Sequence, residues 1–194
     1  MSDHYYDSKE NLHKPFKIEA QALHRTITLW SDKGVFSKDR LDNATKLLIE
    51  TTPITGNKVC DLGCGIGIVS VFLNLKKQGV DFTAIDANRR AVLLAQKNFE
   101  KHSVNGTTIQ SDAYSEVNQT FTHIFTNPPM AAGRKKCYEF IEEAPLYLED
   151  KGCFSLVARH KKGGKMLYKK MKETFSDVTV LDKQGGFRVY HATK

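Results

Sequence analysis

The chain has 194 residues and a formal net charge of +7, from 29 lysines and arginines against 22 aspartates and glutamates. This length suits one globular domain with a full core, and no apolar run approaches the ~18–20 residues of a membrane span. The polar, acidic start Met1–Asp7 is unlike a signal peptide, and the cysteines form no C-x-x-C pair, so we expect a cytoplasmic protein without a disulfide framework or a zinc cluster.

The first part of the chain, up to about residue 52, departs from the pattern of the rest. Arg25–Trp30 alternates apolar and polar residues, which predicts a strand. Leu41–Thr51 has apolar residues at helical spacing, which predicts a helix. No repeat or composition break divides the chain, so we expect residues 1–52 to be an extension packed on the same domain as residues 53–194.

From residue 58 onward, strand and helix periods alternate. The predicted strands are Lys58–Leu62, Asp81–Asp86, Thr107–Ser111, His123–Thr126, Cys153–Ala158, Val178–Asp182 and Phe187–Ala192. Helices are predicted over Ile66–Leu75, Arg89–His102, Lys135–Leu148 and the segment after Gly163-Gly164, with Pro145 kinking or ending the third. The alternation indicates an α/β fold with a mainly parallel seven-stranded sheet and helices on both faces. A short glycine turn joins the last two strands, so the last strand should be antiparallel.

A glycine-rich segment after the first of these sheet strands carries the clearest chemical signal. Gly63, Gly65 and Gly67 alternate with other residues, and Asp86 ends the next strand, 23 residues after Gly63. This separation is typical of a strand–helix–strand unit whose second acid binds a ribose. Asp61 lies two residues before the first glycine, where a carboxylate would repel a pyrophosphate and attract an ammonium or sulfonium group. The pattern therefore favours a nucleoside cofactor without phosphate over a dinucleotide.

The segment Asp61-Leu62-Gly63-Cys64-Gly65-Ile66-Gly67 resembles the first motif of class I S-adenosylmethionine-dependent methyltransferases. The resemblance implies a Rossmann-like fold and S-adenosyl-L-methionine as the cofactor. It also implies which residues bind the cofactor: the aminoacyl tail lies at Asp61, Gly63, Cys64, Gly65 and Gly67, the ribose at Asp86 and Ala87, and the adenine at Asp112 and Ala113.

The segment Asn127-Pro128-Pro129-Met130 follows the fourth predicted sheet strand. Its prolines fix the backbone and remove two N–H donors, which would hold the Asn127 amide and nearby carbonyl groups beside the cofactor. Such groups accept hydrogen bonds from an exocyclic amino group and so place its nitrogen for methyl transfer. The segment is similar to the [ND]-P-P-[YFW] motif of methyltransferases that act on planar amino groups, which implies that Asn127, Pro128, Pro129 and Met130 are catalytic. Met130 replaces the aromatic residue, which leaves a ring nitrogen such as guanine N7 open as the target.

From about Leu23 onward, the chain is similar to small-domain methyltransferases related to the ribosomal RNA guanine-N2 enzymes, and most of all to their short archaeal members. Further shared segments are Gly34-Val35-Phe36-Ser37, Leu41-Asp42, Ser111-Asp112 and Gly185-Gly186-Phe187-Arg188-Val189. The similarity implies methylation of a guanosine in tRNA or ribosomal RNA, at N2 in preference to N7.

A basic segment, Arg159–Lys172, contains seven lysines and arginines and no acid. Such clustering favours contact with a phosphate backbone over a solvated surface helix. We expect Lys161, Lys162 and Lys165 to bind RNA. Arg188 is expected to face the RNA or to pair with an acid, and Phe36 to cover the cofactor or target or to lie in the core.

Three other functions remain open on the sequence: a protein glutamine-N5 or DNA amino methyltransferase, a small-molecule methyltransferase, and a non-catalytic cofactor-binding RNA module. The basic segment counts against a protein target, and a small-molecule target would need a lid or cap domain. The complete set Asp61, Asp86, Asp112 and Asn127 argues against a module. The seven histidines are scattered and suggest no metal site. We therefore expect an enzyme with RNA as its partner, and with neither a membrane nor a metal.

Overall fold

A computed structural model describes residues 14–35 and 41–194. In chain order, its elements are β1 (Phe16–Ala22), β2 (Arg25–Ser31), α1 (Asn43–Thr51), β3 (Lys58–Leu62), α2 (Ile68–Lys76), β4 (Asp81–Asp86), α3 (Arg89–Lys101) and β5 (Gly106–Gln110). They continue with β6 (Phe121–Thr126), α4 (Arg134–Glu142), α5 (Ala144–Tyr147), β7 (Leu148–Arg159), α6 (Lys165–Thr174), β8 (Asp177–Gln184) and β9 (Phe187–Thr193). Phe36, a predicted substrate contact, lies outside the described residues.

A seven-stranded sheet in the order β5-β4-β3-β6-β7-β9-β8 forms the centre of the fold. The strands from β5 to β7 pair in parallel, whereas β9 is antiparallel to both of its neighbours. The predicted α/β, Rossmann-like class with an antiparallel last strand is confirmed. This reversed strand lies between β7 and β8, because β8 and β9 form the hairpin predicted at the glycine turn.

Two hydrophobic clusters cover the two faces of this sheet. Successive residues of β3 point to opposite faces, so Val59 packs into one cluster and Cys60 into the other. The first cluster contains buried residues of β1, β2, α1, α2 and α3, and the second contains those of α4, α5 and α6. The hairpin formed by β1 and β2 therefore buries its apolar side in the same core as the first three helices.

The structure differs from the prediction in one strand and in one helix. The predictions include no strand before Arg25, but Phe16–Ala22 is the strand β1, and it reverses into β2 through Leu23 and His24 in left-handed conformations. Because neither residue is glycine, the turn left no signal in the sequence. The helix predicted over Lys135–Leu148, with Pro145 kinking or ending it, is interrupted near that proline: α4 ends at Glu142, and Pro145 lies in the first turn of the separate short helix α5.

Across residues 14–35 and 41–194, no group of His, Cys, Asp and Glu side chains could hold a metal ion. No helix in these ranges is long and apolar enough to cross a membrane.

A fully buried asparagine on α3, Asn98, connects the β1–β2 hairpin to the glycine-rich segment. Its Oδ1 accepts a hydrogen bond from the Trp30 N–H at 2.7 Å, and its Nδ2 donates to the Trp30 carbonyl at 3.0 Å and to the Ile66 carbonyl at 2.9 Å. One side chain thus satisfies three main-chain polar groups on two residues, Trp30 and Ile66, that are far apart in the sequence.

We expect Asn98→Ala to lower the free energy of unfolding by about 2–3 kcal/mol, because main-chain groups lose their partners inside the protein. Urea denaturation followed by circular dichroism measures this change. Gln96→Ala on the same helix is the control, since Gln96 is exposed and bonds only to Glu100 among the described residues. Equal midpoints and slopes for the two variants would contradict the assigned role of Asn98.

Candidate active site

A cavity of about 630 Å³ lies at the carboxyl ends of β3, β4, β5 and β6. Ligands of open α/β sheets bind at this edge, and the volume is within the range of small-molecule sites. The structure brings these predicted residues together around the cavity: Asp61, Gly63, Cys64, Gly65, Asp86, Ala87, Asp112, Ala113, Asn127, Pro128, Pro129 and Met130. Gly67, Lys161, Lys162, Lys165 and Arg188 are not among the residues that line it.

The loop after β3 is held by hydrogen bonds to the end of β4. The N–H groups of Gly63 and Cys64 both donate to the Ile85 carbonyl at 2.8 Å. The Gly65 N–H donates to Asp86 Oδ2 at 2.9 Å. Gly65 has a φ of 54°, and a Cβ placed on it would meet no atom within 4 Å. Glycine is therefore favoured here by the left-handed backbone and leaves open space beside the loop.

Gly67 has a packing role. It begins α2 with a φ of 77°, and a Cβ on it would lie 3.1 Å from both Ala95 Cβ and Phe99 Cε1. Its absent side chain lets α2 approach α3. This contact explains why the third glycine of the motif lies behind the cavity instead of in its lining.

Asp61 is buried beside the first turns of α2. Its Oδ2 accepts hydrogen bonds from the Ser70 N–H at 3.1 Å and from the Ser70 hydroxyl at 2.8 Å. Burial raises the pKa of Asp61 to about 6; the Ser70 hydrogen bonds oppose this rise, and the charge of Asp86 adds to it. Burial also raises the pKa of the neighbouring Cys64 thiol well above its ordinary value. The cavity therefore contains a carboxylate that would gain from a cationic ligand.

Two further acids border the cavity. Asp86 Oδ1 accepts a hydrogen bond from the Asn88 N–H at 2.9 Å. Asp112 forms an ion pair with Lys136 Nζ at 2.5 Å, and Lys136 also contacts Glu139 at 2.7 Å. Lys136 lines the cavity but was not predicted, because nothing in the local sequence relates it to Asp112. The carboxylates outnumber the ammonium group around the cavity, which disfavours a phosphate-bearing ligand.

Asn127 is oriented by a threonine that the sequence analysis missed. The Thr45 hydroxyl donates to Asp42 Oδ2 at 2.6 Å and accepts from Asn127 Nδ2 at 3.0 Å. Asp42 in turn caps α1 by accepting the N–H groups of Ala44 and Thr45. The Thr45 hydroxyl donates its single proton to a carboxylate, so toward Asn127 it can only accept a hydrogen bond. The Asn127 amide must therefore turn its nitrogen, which is the donor, toward Thr45. The Asn127 Oδ1 is therefore the atom that can accept a hydrogen bond from a ligand.

The prolines lead into one turn of 3-10 helix over Met130–Ala132. The Pro128 carbonyl accepts from the Met130 N–H at 2.8 Å and keeps a second lone pair. Met130 is 42% exposed, and its Sδ lies 3.8 Å from Cys137 Sγ. A Cβ on Gly163 would lie only 2.5 Å from the Met130 Cε. Met130 thus lies between α4 and the turn that follows β7.

The basic segment is partly neutralised in three dimensions. Lys169 pairs with Glu173 at 3.7 Å, and Lys170 pairs with Glu142 at 2.8 Å and Glu173 at 3.1 Å. Both acids lie outside Arg159–Lys172, so the segment presents less charge than its composition suggests. Of the predicted RNA contacts, Lys161 and Lys162 are exposed in the turn His160–Gly164, Lys165 begins α6, and Arg188 lies on β9.

The chain resembles methyltransferases over most of its length. The sequence model of the family 'Methyltransferase small domain' matches residues 26–191. Bacillus subtilis YbxB is 34% identical over 200 residues, covering 100% of both chains. Ribosomal RNA small subunit methyltransferase C of Colwellia psychrerythraea is 31% identical over 186 residues, covering 92% of this chain and 50% of its own.

Solved structures share the fold. The T. thermophilus 16S rRNA N2 methyltransferase RsmC, in complex with AdoMet and guanosine, aligns with a TM-score of 0.78 and 25% identity, covering 94% of this chain and 50% of its own. A Pyrococcus furiosus methyltransferase aligns with a TM-score of 0.64 and 20% identity, covering 76% and 79%. The chain spans about half the length of the relatives named ribosomal RNA small subunit methyltransferase C.

We expect Asp61→Asn to change how stability depends on pH. The folded-state pKa of Asp61 is raised to about 6, so the buried carboxylate costs free energy at neutral pH, and this cost disappears as the pH falls from about 6 to about 4. Urea denaturation at pH 4.5 and at pH 7 should therefore show the variant gaining about 2 kcal/mol of stability relative to the unmodified chain at the higher pH. A difference that does not vary with pH would contradict this assignment.

Proposed function

Because the chain belongs to the Methyltransferase small domain family and is an S-adenosylmethionine-dependent methyltransferase, we propose that it methylates the exocyclic N2 of a guanosine in ribosomal RNA. The relatives named for small-subunit ribosomal RNA and the solved N2 enzyme support this substrate. A ribosomal substrate would also support a cytoplasmic location.

The orientation of the Asn127 amide carries the choice of target atom. Thr45 holds the amide nitrogen, so Oδ1 is an acceptor at the cavity, close in sequence to the second acceptor at the Pro128 carbonyl. The exocyclic amino group of guanine offers two N–H donors to such acceptors. Guanine N7 is itself an acceptor and would gain nothing from them. The acceptors therefore favour N2, and by holding its protons they orient the nitrogen for attack.

The cavity residues fit S-adenosylmethionine. When bound, this cofactor supplies an electrophilic methyl group on a sulfonium. Asp61 would attract the positive charge, and Asp86, whose oxygens each accept one main-chain N–H, keeps a lone pair on each for the ribose hydroxyls. Asp112 would accept from the adenine amino group with the oxygen turned away from Lys136. The open space beside Gly65 allows the cofactor to approach the backbone.

Met130 would pack against the face of the target base. Its thioether is polarizable and fills irregular spaces beside rings. The contacts with Cys137 and with the turn at Gly163 limit its movement. The lysines Lys161, Lys162 and Lys165 lie on the same turn and the start of α6, where they would meet the RNA backbone beside the base.

Methyl transfer to small-subunit ribosomal RNA from cells that lack this protein tests the proposal. Nucleosides are separated and identified by mass spectrometry after reaction with methyl-labelled cofactor, and N2-methylguanosine is the expected product. Asn127→Ala should lower the rate by about 100-fold or more, because a positioning group is lost. Its affinity for S-adenosylhomocysteine should be unchanged.

Thr45→Val provides the graded control. It keeps the size of the side chain but removes the hydroxyl that holds the Asn127 amide, so kcat should fall by less than in Asn127→Ala while cofactor affinity stays the same. N7-methylguanosine as the sole product would contradict the N2 proposal. Label found only in tRNA, DNA or protein would contradict the ribosomal substrate.

A further inference from the structure

A second cavity has a volume of about 380 Å³. It is formed by the end of β7, the turn that follows it and the hairpin between β8 and β9. The charged and aromatic residues of its lining are Arg159, His160, Lys161, Lys183, Phe187 and Arg188. Among the residues described, those that line this cavity include no acid. We call it the hairpin cavity.

The hairpin cavity is built by fixed contacts. The His160 N–H donates to the Gly186 carbonyl at 2.9 Å, which holds the turn against the hairpin. The His160 Nδ1 lies 2.7 Å from the hydroxyl of the buried Tyr190. The Arg159 guanidinium lies 5.5 Å from the centre of the Phe187 ring, as in a cation–π contact.

Among the described residues, no acid neutralises the cations of the hairpin cavity. Within the part of the chain that the structure describes, Arg159, Lys161, Lys183 and Arg188 form no ion pair with a carboxylate, unlike Lys169 and Lys170 on α6.

Three of these cations, Lys161, Lys183 and Arg188, act on His160, together with Lys165 at the start of α6. Burial lowers the pKa of His160, and the charges of Arg188, Lys165, Lys161 and Lys183 lower it further. Like charges held this close repel one another, and an anion bound among them would relieve the repulsion.

The turn His160–Gly164 also connects the hairpin cavity to the target site. His160 and Lys161, at its start, line the hairpin cavity, and Gly163, near its end, packs against Met130 in the first cavity. An anion in the hairpin cavity would therefore lie next to the base that Met130 contacts. In a nucleic acid, the anion nearest to a base is a phosphodiester of the same strand.

We propose that the hairpin cavity binds a phosphodiester of the RNA strand adjacent to the target guanosine. This inference rests on the proposed function, since it requires an RNA strand in the first cavity. Arg159 and Arg188 provide planar guanidinium groups that match phosphate oxygens, and Lys183 and Lys161 add charge. The cavity would anchor the strand so that its guanosine meets Asn127.

Binding of a fluorescent single-stranded RNA that contains one guanosine tests the inference. We compare the double variant Lys183→Ala/Arg188→Ala with the control Lys58→Ala/Lys77→Ala, which removes the same charge. Lys58 begins β3, far from both cavities, and Lys77 directly follows α2. The hairpin variant should bind about 10-fold more weakly than the control and lower the slope of log K against log salt by about 0.7 or more. Equal affinities and slopes would overturn the inference.

A neutral linkage identifies the phosphate. We replace the phosphodiester on one side of the guanosine with a methylphosphonate, and in a second RNA the phosphodiester on the other side. One of these two replacements should weaken RNA binding by the control variant and have little effect on RNA binding by the hairpin variant. Losses that are the same in the hairpin variant and the control would overturn the inference. Inorganic phosphate that binds the unmodified chain as tightly as the RNA does would indicate a free-anion site and also overturn it.

These outcomes are distinguishable from failure of the proposed function. Binding is measured without methyl transfer, so RNA that binds through the hairpin cavity but is never methylated would contradict only the enzyme's proposed substrate. RNA methylated at N2 with equal binding by both variants would contradict only the hairpin cavity. An unchanged affinity for S-adenosylhomocysteine shows that each variant is folded.

Discussion

The hydrogen bond from the Gly65 N–H to the Asp86 carboxylate is the contact on which the rest of the site depends. It joins the loop after β3 to the end of β4, beside the paired N–H groups that bond to Ile85. Because parallel strands end at the same edge of a sheet, this junction places Asp61, Asp86 and Asp112 around one cavity. The candidate cofactor site is therefore a consequence of strand order and of one glycine loop with a left-handed backbone.

The acidity of the cavity links stability to function. Burying Asp61 in a folded chain raises its pKa, which means that the ionised side chain disfavours folding. The same desolvation strengthens its attraction for a cation. The ligand-free folded chain is therefore less stable than it would be with a neutral residue at this position. Binding of a positively charged ligand would offset this cost. Conversely, the cations of the hairpin cavity lie on the side of Met130 where an RNA strand would pass. Under the proposed function, opposite charges would separate the cofactor from the RNA.

Local sequence patterns were sufficient to predict much of the fold. The strands Lys58–Leu62 and Asp81–Asp86 have the predicted bounds, because each contains a short apolar run that leads into an acid, Asp61 or Asp86, at or next to its end. The first motif and the Asn127 segment also meet at one cavity. By contrast, β1 was missed because its turn contains no glycine. The interruption of the helix near Pro145 was anticipated from the proline, but the sequence did not indicate the residue, Glu142, at which α4 ends.

The contacts of the site that were not predicted from the sequence all join residues that are far apart in the chain. Thr45 reaches Asn127 across 82 residues, and Lys136 reaches Asp112 only because α4 packs beside the end of β5. The charge of Arg159–Lys172 was overestimated for the same reason, since Glu142 comes from another helix. The hairpin cavity combines residues of β7 and of the β8–β9 hairpin, and antiparallel pairing of β7 with β9 brings them together. Sequence periodicity carries no information about such pairs.

The central claim is that Asp86 holds the ribose of S-adenosylmethionine at the end of β4. Calorimetric titration of Asp86→Ala with S-adenosylhomocysteine tests this claim most directly, because this ligand has the ribose but no methyl group to transfer. Two charge-assisted hydrogen bonds are lost, so binding should weaken by about 2–3 kcal/mol relative to the unmodified chain. An unchanged affinity would contradict the placement of the ribose and, with it, the account of the site.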